Sequence, residues 1–198
     1  MSRFETIRAF AALNVEVAAV RRIAVAAERL RVDPAAPPMR WVPPTKMHVT
    51  LRFFGEIDVA LAPAIRDGLA ALAKERPAPR ITFASFSAFP SLEAAQVIFA
   101  DAQDMGDETA SLAAAVDRLG ESLGLPRETR TYHPHLTLGR TRAPTSVGPW
   151  LAAAPTWRVV ALAPELALYR SDLARPGAEY DTLGRFALAP RKSSKKSA

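Results

Sequence analysis

The sequence predicts an α+β fold, and two observations lead to that prediction. Helical and strand-like segments alternate along 198 residues, of which 49% are hydrophobic, so the chain has enough apolar material to bury a core. The strand-like segments alternate apolar and polar residues and partly follow one another as hairpins, whereas strands of a doubly wound parallel sheet are continuously apolar. Antiparallel sheets with helices packed outside them are therefore expected.

The first half of the chain reads as strand, helix, strand, helix. Residues 6–13 predict a strand, and a helix then runs to Arg31 with an apolar face formed by Val20, Ile23, Ala27 and Leu30. Residues 33–38 end this helix, and residues 47–54 predict the second strand. A second helix begins near Pro63, a residue suited to a first turn, and directs inward its apolar residues Leu61, Ile65, Leu69 and Leu72.

The middle of the chain predicts a strand pair and a third helix. Residues 80–89 and 95–102 read as two strands around a Pro-Ser turn. The helix that follows has an apolar face and closes at Gly124; its apolar residues are Leu112, Val116, Leu119 and Leu123.

Short elements complete the second half. Residues 136–140 predict a strand, and a short helix is expected around Trp150. Residues 157–169 read as a strand with a break at Pro164, and residues 180–188 as the last strand.

The net charge of +6 is concentrated at the C-terminus. Four basic residues there have no acidic neighbour, namely Arg191, Lys192, Lys195 and Lys196, and subtracting them leaves +2 for residues 1–190. We therefore expect one domain over residues 1–190 and a basic disordered tail over residues 191–198. Global charge thus favours a nucleic-acid partner only weakly.

Composition also excludes several classes of site. The sequence contains no cysteine, which excludes disulfides, thiolate zinc sites and cysteine nucleophiles and is compatible with a reducing compartment. The first thirty residues mix charged residues into every apolar stretch, so neither a signal peptide nor a membrane span is predicted. We expect a cytoplasmic monomer with no membrane partner.

Two copies of one four-residue motif stand out. They are His48-Val49-Thr50-Leu51 and His135-Leu136-Thr137-Leu138, 87 residues apart (135 minus 48) in a chain with three histidines. A single HxTL string is common on half-buried strands, but two in such a chain are far beyond chance. Each motif follows a long helix, which suggests two related lobes.

The motif has a geometry that suits a phosphate. Residues two apart on a strand share a face, so His48 and Thr50 project together, as do His135 and Thr137. The hydroxyl can donate to a phosphate oxygen while the imidazole, with an ordinary pKa near 6.5, moves a proton. In-line displacement at phosphorus needs a base on one side and an acid on the other, and two matching strands provide both.

A zinc site built from the three histidines is the alternative for this pattern. His48, His133 and His135 would be its ligands. No acidic residue adjoins any of them in sequence as an orienting partner, and a zinc site would leave the threonine pairing unexplained. The three-histidine zinc site is therefore not expected.

In context, the two motifs resemble those of the two-histidine (2H) phosphoesterase superfamily. The matching segments are residues 41–44 followed by 48–56 for the first motif, and residues 134–140 for the second. They are most similar to the RNA 2′,3′-cyclic phosphodiesterases long called 2′-5′ RNA ligases. The resemblance extends to the opening strand at 7–13 and the closing one at 180–188.

The resemblance implies a bilobal, LigT-like fold. Each of two pseudo-symmetric lobes would contribute an antiparallel sheet and outer helices, with the active-site cleft between them. It further implies hydrolysis of an RNA terminal 2′,3′-cyclic phosphate to a 2′-phosphate without metal or nucleotide cofactor. His48 would be the general acid that protonates the departing O3′, His135 the general base that activates water, and Thr50 and Thr137 the groups that hold phosphate oxygens.

Further residues near the motifs are candidate substrate contacts. Arg140 matches an arginine that the family uses at the phosphate, although strict alternation would point it away from His135 unless the strand bends or ends at Gly139. Arg52 lies on the His48 face by alternation and could contact RNA or be a structural surface arginine. Four aromatic residues could stack on a base or belong to the core, with Phe53 the first choice: Phe53, Phe54, Trp41 and Tyr132.

Two other functions remain compatible with the sequence. A 5′-hydroxyl could replace water as nucleophile in the same site, which would make the protein a 2′-5′ RNA ligase. A non-catalytic module that binds RNA ends is the other alternative, although binding alone does not need two proton-transfer groups.

Overall fold

The structure, a computed structural model, describes residues 5–104, 106–172 and 179–191. Within these residues the chain forms, in order, β1 (Thr6–Asn14), α1 (Val17–Arg31), β2 (Met39–Trp41), β3 (Val49–Asp58), α2 (Ala62–Glu75), β4 (Arg80–Phe89), β5 (Ala95–Asp104), α3 (Glu108–Ser122), β6 (His135–Thr145), α4 (Gly148–Ala152), β7 (Val159–Leu162), β8 (Glu165–Asp172) and β9 (Glu179–Ala187). Short 3-10 turns at Pro44–Lys46 and Val59–Leu61 precede β3 and α2.

The predicted order of helices and strands is confirmed. The helix faces expected to be apolar are buried, including Ile23 in α1, Ile65 in α2 and Val116 in α3. The strand expected over residues 157–169 divides at Pro164 into β7 and β8, as proline's missing N–H requires. Sequence patterns did not reveal β2, because three residues are too few to show a period.

The strands form one curled antiparallel sheet with two matching halves. Its order is β7-β4-β5-β6-β3-β1-β8-β9, and β2 pairs with the same β6. The halves β3-β1-β8-β9 and β6-β5-β4-β7 each begin with an HxTL strand, which confirms the α+β fold with two related lobes. The two sheets expected for the lobes are continuous, however, since β3 pairs with β6 through Val49 and Leu136.

Each HxTL strand carries a β-bulge at the leucine of its motif. In β3, Thr50 and Arg52 face the consecutive residues Ala12 and Ala11 of β1, so Leu51 is the extra residue. In β6, Thr137 and Gly139 likewise face Phe99 and Ile98 of β5, so Leu138 is the extra residue. A bulge shifts the alternation of side chains for the residues that follow it, and in β3 a second bulge at Phe54 shifts it back.

The end of the described chain packs back onto the fold. Ala189 N–H donates to the carbonyl oxygens of Ala73 in the last turn of α2 and of Arg76 directly after it. Arg191, which the charge count assigned to the tail, instead lies 2.6 Å from a carboxylate oxygen of Glu108 and donates to the Ala78 carbonyl. The tail prediction is therefore wrong at Arg191, because the acid that pairs with it is distant in sequence. The rest of that prediction, residues 192–198, lies outside the described residues.

Among the helices that the structure describes, none is long and apolar enough to cross a bilayer.

Candidate active site

The Val49–Leu136 pair places the two motifs around a local twofold relation. Both residues are fully buried, so their neighbours on each strand project to the opposite face. Because the strands are antiparallel, His48 lies on the Thr137 side and His135 on the Thr50 side. The four polar side chains line one cavity of about 790 Å³.

The backbone fixes the tautomer of both imidazoles in the same way. Nδ1 of His48 lies 2.8 Å from the carbonyl oxygen of Lys46, and Nδ1 of His135 lies 2.7 Å from that of His133. A carbonyl can only accept a hydrogen bond, so each Nδ1 carries the proton and donates it. Each Nε2 is then the nitrogen left to exchange protons with a bound molecule.

Burial favours the neutral form of both imidazoles in the free protein. It lowers the pKa of His48 to about 4, against a smaller raising effect of the hydrogen bond to Lys46. Burial also lowers the pKa of His135, opposed in part by the hydrogen bond to the His133 carbonyl. The charge of His135 further lowers the pKa of His48, so protonating one ring disfavours protonating the other.

Arg140 joins the histidine side of the cleft because of the bulge at Leu138. The bulge supplies the bend that the sequence required at Gly139, and Arg140 lines the cavity with His135 and Thr137. Its charge lowers the pKa of His135 and opposes the rise that burial causes in the pKa of Tyr180.

Arg52 does not lie where strict alternation put it. The bulge at Leu51 turns its side chain into the protein, where it is 4% exposed and 2.7 Å from the carboxylate of Asp117. It also donates to the carbonyl oxygens of Asp117 and Pro126 and lies over the Phe54 ring. Arg52 borders the cavity, but its guanidinium connects β3 to α3. The expectation of an exposed structural arginine is therefore wrong, and a contact of Arg52 with RNA stays a prediction.

The same bulge brings Phe53 to the cleft. Its side chain is 45% exposed, lines the cavity and lies 5.5 Å from the Phe10 ring. Of the other aromatic candidates, Phe54 is buried in the core, while Trp41 and Tyr132 are half-buried at the cavity wall.

An aromatic wall around His48 was not foreseen from the sequence. Phe10 stacks on the imidazole at 5.1 Å between ring centroids, and Tyr180 meets it edge-on at 5.4 Å. Tyr169 stacks on Phe10 at 5.3 Å. These rings come from β1, β8 and β9, so only the pairing of distant strands brings them together around the His48 ring.

His133 has an acidic partner in space that sequence could not reveal. Its Nε2 lies 3.0 Å from Asp101, a residue of β5 opposite His135 in register. His133 therefore fixes His135 through its carbonyl while its own ring is held by a carboxylate. Among the described residues, no three histidine, aspartate or glutamate side chains are arranged to hold a metal ion, so the three-histidine zinc alternative is not formed.

The chain is similar in sequence to a known protein family and to a named relative. A family model described as LigT like Phosphoesterase matches residues 15–99, which include the first motif. A Thermus thermophilus protein named RNA 2′,3′-cyclic phosphodiesterase is 32% identical over 154 residues, 74% of this chain and 74% of its own length. The chain belongs to the LigT-like phosphoesterase family.

Two further relatives of this LigT-like phosphoesterase carry the same name. The Aeropyrum pernix protein is 32% identical over 105 residues, and the Aquifex aeolicus protein 28% identical over 105 residues. These alignments cover 53% and 52% of this chain and 58% and 56% of the relatives. The match thus spans less than two thirds of the length of these two relatives.

Solved structures show the same fold for this LigT-like phosphoesterase. A Thermus thermophilus crystal structure has a TM-score of 0.74 at 25% identity and covers 94% of this chain and 100% of its own. Escherichia coli LigT, crystallised with 3′-AMP, has a TM-score of 0.69 at 24% identity and covers 93% and 99%.

Proposed function

We propose that this protein hydrolyses RNA that ends in a 2′,3′-cyclic phosphate, leaving a 2′-phosphate and a free 3′-hydroxyl. The observation that carries the proposal is the pair of imidazoles with matching fixed tautomers, each next to a threonine hydroxyl in one cleft. The name shared by the Thermus thermophilus, Aeropyrum pernix and Aquifex aeolicus relatives supplies the substrate class.

The proposed reaction needs one proton removed and one delivered. His135 takes a proton from water through Nε2 as the water oxygen attacks phosphorus. The bond between phosphorus and O3′ breaks on the opposite side, and protonated His48 delivers a proton to O3′. Thr50 and Thr137 donate to the non-bridging oxygens, and Arg140 offsets the charge that develops on them.

His48 must gain its proton together with the substrate. With a pKa of about 4 in the free protein, it is neutral at pH 7. A phosphate anion within a few ångströms stabilises the charged imidazole and raises this pKa. The alkaline limb of the pH profile, which reports the acid, should therefore lie at higher pH in kcat than in kcat/KM.

Phe53 supplies a surface for the terminal base in this proposal. Single-stranded RNA is commonly bound by stacking of unpaired bases on exposed aromatic rings. Phe53 is an aromatic residue of the cleft whose ring is exposed, and it lies against Phe10 on the His48 side.

The sequence has no cysteine, which is compatible with a reducing compartment, and we propose the cytoplasm as the place of the reaction.

Product identification tests the proposed function. Purified protein with EDTA receives a short RNA ending in a 2′,3′-cyclic phosphate, with and without a second RNA bearing a 5′-hydroxyl. A 2′-phosphate product supports the proposal, because hydroxyls, arginine and imidazolium handle the phosphate charge without a metal. A joined 2′-5′ product would identify a ligase, and binding without any product would identify an RNA-end binding module.

A leaving-group experiment tests the division between the histidines. His48→Ala and His135→Ala should each lower kcat by at least 10²- to 10⁴-fold, the usual contribution of one proton transfer. A substrate with sulfur in place of bridging O3′ expels a thiolate that needs no protonation. It should restore turnover to His48→Ala but not to His135→Ala. Restoration of His135→Ala alone would reverse the two roles.

A further inference from the structure

Two arginines lie side by side on adjacent strands at the cleft. Arg40 of β2 and Arg140 of β6 are register partners in an antiparallel pair. Both side chains are exposed, and both line the cavity that contains the histidines. Direct partners in such a pair project to the same face about 5 Å apart at Cβ.

The charges of these two arginines are not offset within the described part of the chain. Within residues 5–104, 106–172 and 179–191, no carboxylate forms an ion pair with either guanidinium. The carboxylates that line the cavity are already engaged, since Asp117 pairs with Arg52 and Glu128 pairs with Arg130 at 2.6 Å. Like charges directly opposite each other destabilise a sheet. A bound anion would remove that cost.

The two arginines stand at different places relative to the reacting centre. Arg140 is on the same strand as His135 and its charge acts on the His135 pKa. Arg40 is on β2, one strand spacing of about 4.8 Å from β6. β2 pairs with β6 beyond Leu136, the residue at which β3 pairs with β6. Arg40 is therefore the cation next to a phosphate bound at Arg140, and its long side chain is within reach of the neighbouring phosphate of the same RNA chain.

We propose that Arg40 binds the phosphodiester one nucleotide upstream of the cyclic phosphate. The preferred substrate is then an RNA of at least two nucleotides rather than a free nucleoside cyclic phosphate. This inference rests on the proposed function and adds a second phosphate subsite to it. Arg140 serves the reacting phosphate, and Arg40 serves the neighbouring one through a charge-assisted hydrogen bond.

The test compares two substrates in each protein. They are uridine 2′,3′-cyclic phosphate and a dinucleotide that ends in the same cyclic phosphate. The wild-type protein should show a kcat/KM roughly 10- to 100-fold higher on the dinucleotide, the usual contribution of one charged hydrogen bond. Arg40→Gln should reduce this ratio to near one. The ratio does not depend on the fraction of folded protein.

Arg142 provides the matched control. It is exposed on β6, two residues after Arg140, and is outside the residues that line the cavity. Arg142→Gln removes the same charge and should leave the ratio of the two substrates at the wild-type value. An unchanged ratio in Arg40→Gln, or an equal fall of the ratio in both variants, would overturn the proposal.

Binding separates this inference from the proposed function. If the wild-type protein turns over neither substrate, the proposed function fails. The second phosphate subsite is then tested by binding alone, as the ratio of the Kd for uridine 2′-phosphate to the Kd for the dinucleotide that ends in a 2′-phosphate. A ratio lost in Arg40→Gln and kept in Arg142→Gln supports the second phosphate subsite; a ratio kept in both excludes it.

Discussion

The pKa of His48 lies near 4 because burial against Phe10 and Tyr180 disfavours the charged ring, and the hydrogen bond to the Lys46 carbonyl offsets only part of that effect. The carbonyl of Lys46 holds the proton on Nδ1, so a second proton must enter at Nε2. An anion in the cleft is the group that would stabilise that second proton. The same burial that suppresses the charge in the free protein would thus couple protonation of His48 to the binding of an anion.

The buried neutral histidine also makes stability depend on pH. In the unfolded chain the pKa of His48 returns to about 6.5. Because the folded pKa is lower, this contribution is fully present above pH 6.5 and is lost as the pH falls toward 4. We expect the free energy of unfolding to fall by about 3 kcal/mol from this group.

Urea unfolding between pH 4.5 and 7.5 measures this effect. His48→Asn should flatten the pH dependence, leaving the smaller fall that His135 contributes in the same direction. The comparison concerns the slope with pH, so an overall loss of stability in the variant does not affect it. An identical slope in the variant and wild type would show that the buried His48 ring is not the source of the pH dependence.

His133 should set the acid limb of the rate profile through its charge. Protonated His133 lowers the pKa of His135, whereas Asp101 raises it. His133→Gln removes the lowering charge and leaves Asp101, so the pKa of the proposed base rises. The acid limb of kcat/KM should shift to higher pH. His133→Lys keeps a cation at this position, so the acid limb of kcat/KM should lie at the wild-type pH or below it.

A structural role for His133 would give a different result. Both variants would then lose rate at every pH, and the limb would stay in place. If His135 were the acid, the shift would appear on the alkaline limb of the profile instead.

At the level of strands, the alternation of side chains predicted most of the site. His48, Thr50, His135 and Thr137 project together as a period of two requires. Alternation failed for Arg52, because the bulge at Leu51 shifts the faces of the residues that follow it, up to a second bulge at Phe54. A bulge depends on the partner strand, so the sequence of β3 alone contains no signal for it.

Arg52 is therefore expected to matter for stability and not for RNA binding. Arg52→Met leaves the carboxylate of Asp117, 15% exposed, without its buried partner. Removal of one member of a buried pair costs about 3–5 kcal/mol. Arg127 is the control: it lies 3.5 Å from the same carboxylate but is 66% exposed. Arg127→Ala should cost at most about 1 kcal/mol.

Denaturant unfolding of the two variants checks this prediction, and activity is measured on the folded fraction of each. A normal stability of Arg52→Met combined with a loss of RNA binding would return Arg52 to the list of substrate contacts.

On the scale of the whole molecule, the two halves are alike in backbone but differ in chemistry. Each motif has a bulge at its leucine, and the residue five positions after each histidine returns to the cleft. That residue is Phe53 in one half and Arg140 in the other. This equivalent position is therefore aromatic in one half and cationic in the other, and a nucleoside phosphate offers a base to the first and an anion to the second.

Contacts between distant segments explain what the sequence could not predict. The motif spacing indicated two related halves, but Asp101 beside His133 and Arg40 beside Arg140 depend on strand pairing across the sheet. The same holds for Arg191, whose partner Glu108 lies 83 residues away. Periodicity describes which face a residue takes and carries no information about which strand lies next to it.

Two truncations that differ by one residue separate the fold from the basic segment that follows it. Deletion of residues 192–198 removes Lys192, Lys195 and Lys196 but keeps the pair between Arg191 and Glu108. Thermal stability and turnover of the dinucleotide should not change. The salt dependence of binding to long RNA should weaken by up to about 0.7 in slope for each lysine that contacts a phosphate.

The second truncation ends at Pro190 and also removes Arg191. It loses the hydrogen bond to the Ala78 carbonyl and the partly exposed ion pair with Glu108. We expect a loss of about 1 kcal/mol in the free energy of unfolding. The salt dependence of RNA binding should be the same as in the first truncation, or weaker by the contribution of one arginine if Arg191 contacts a phosphate. Unfolding curves and salt titrations with a long single-stranded RNA provide both measurements. A large fall in dinucleotide turnover in the first truncation would instead place the lysine segment in the site, since the short substrate cannot reach a distant cation.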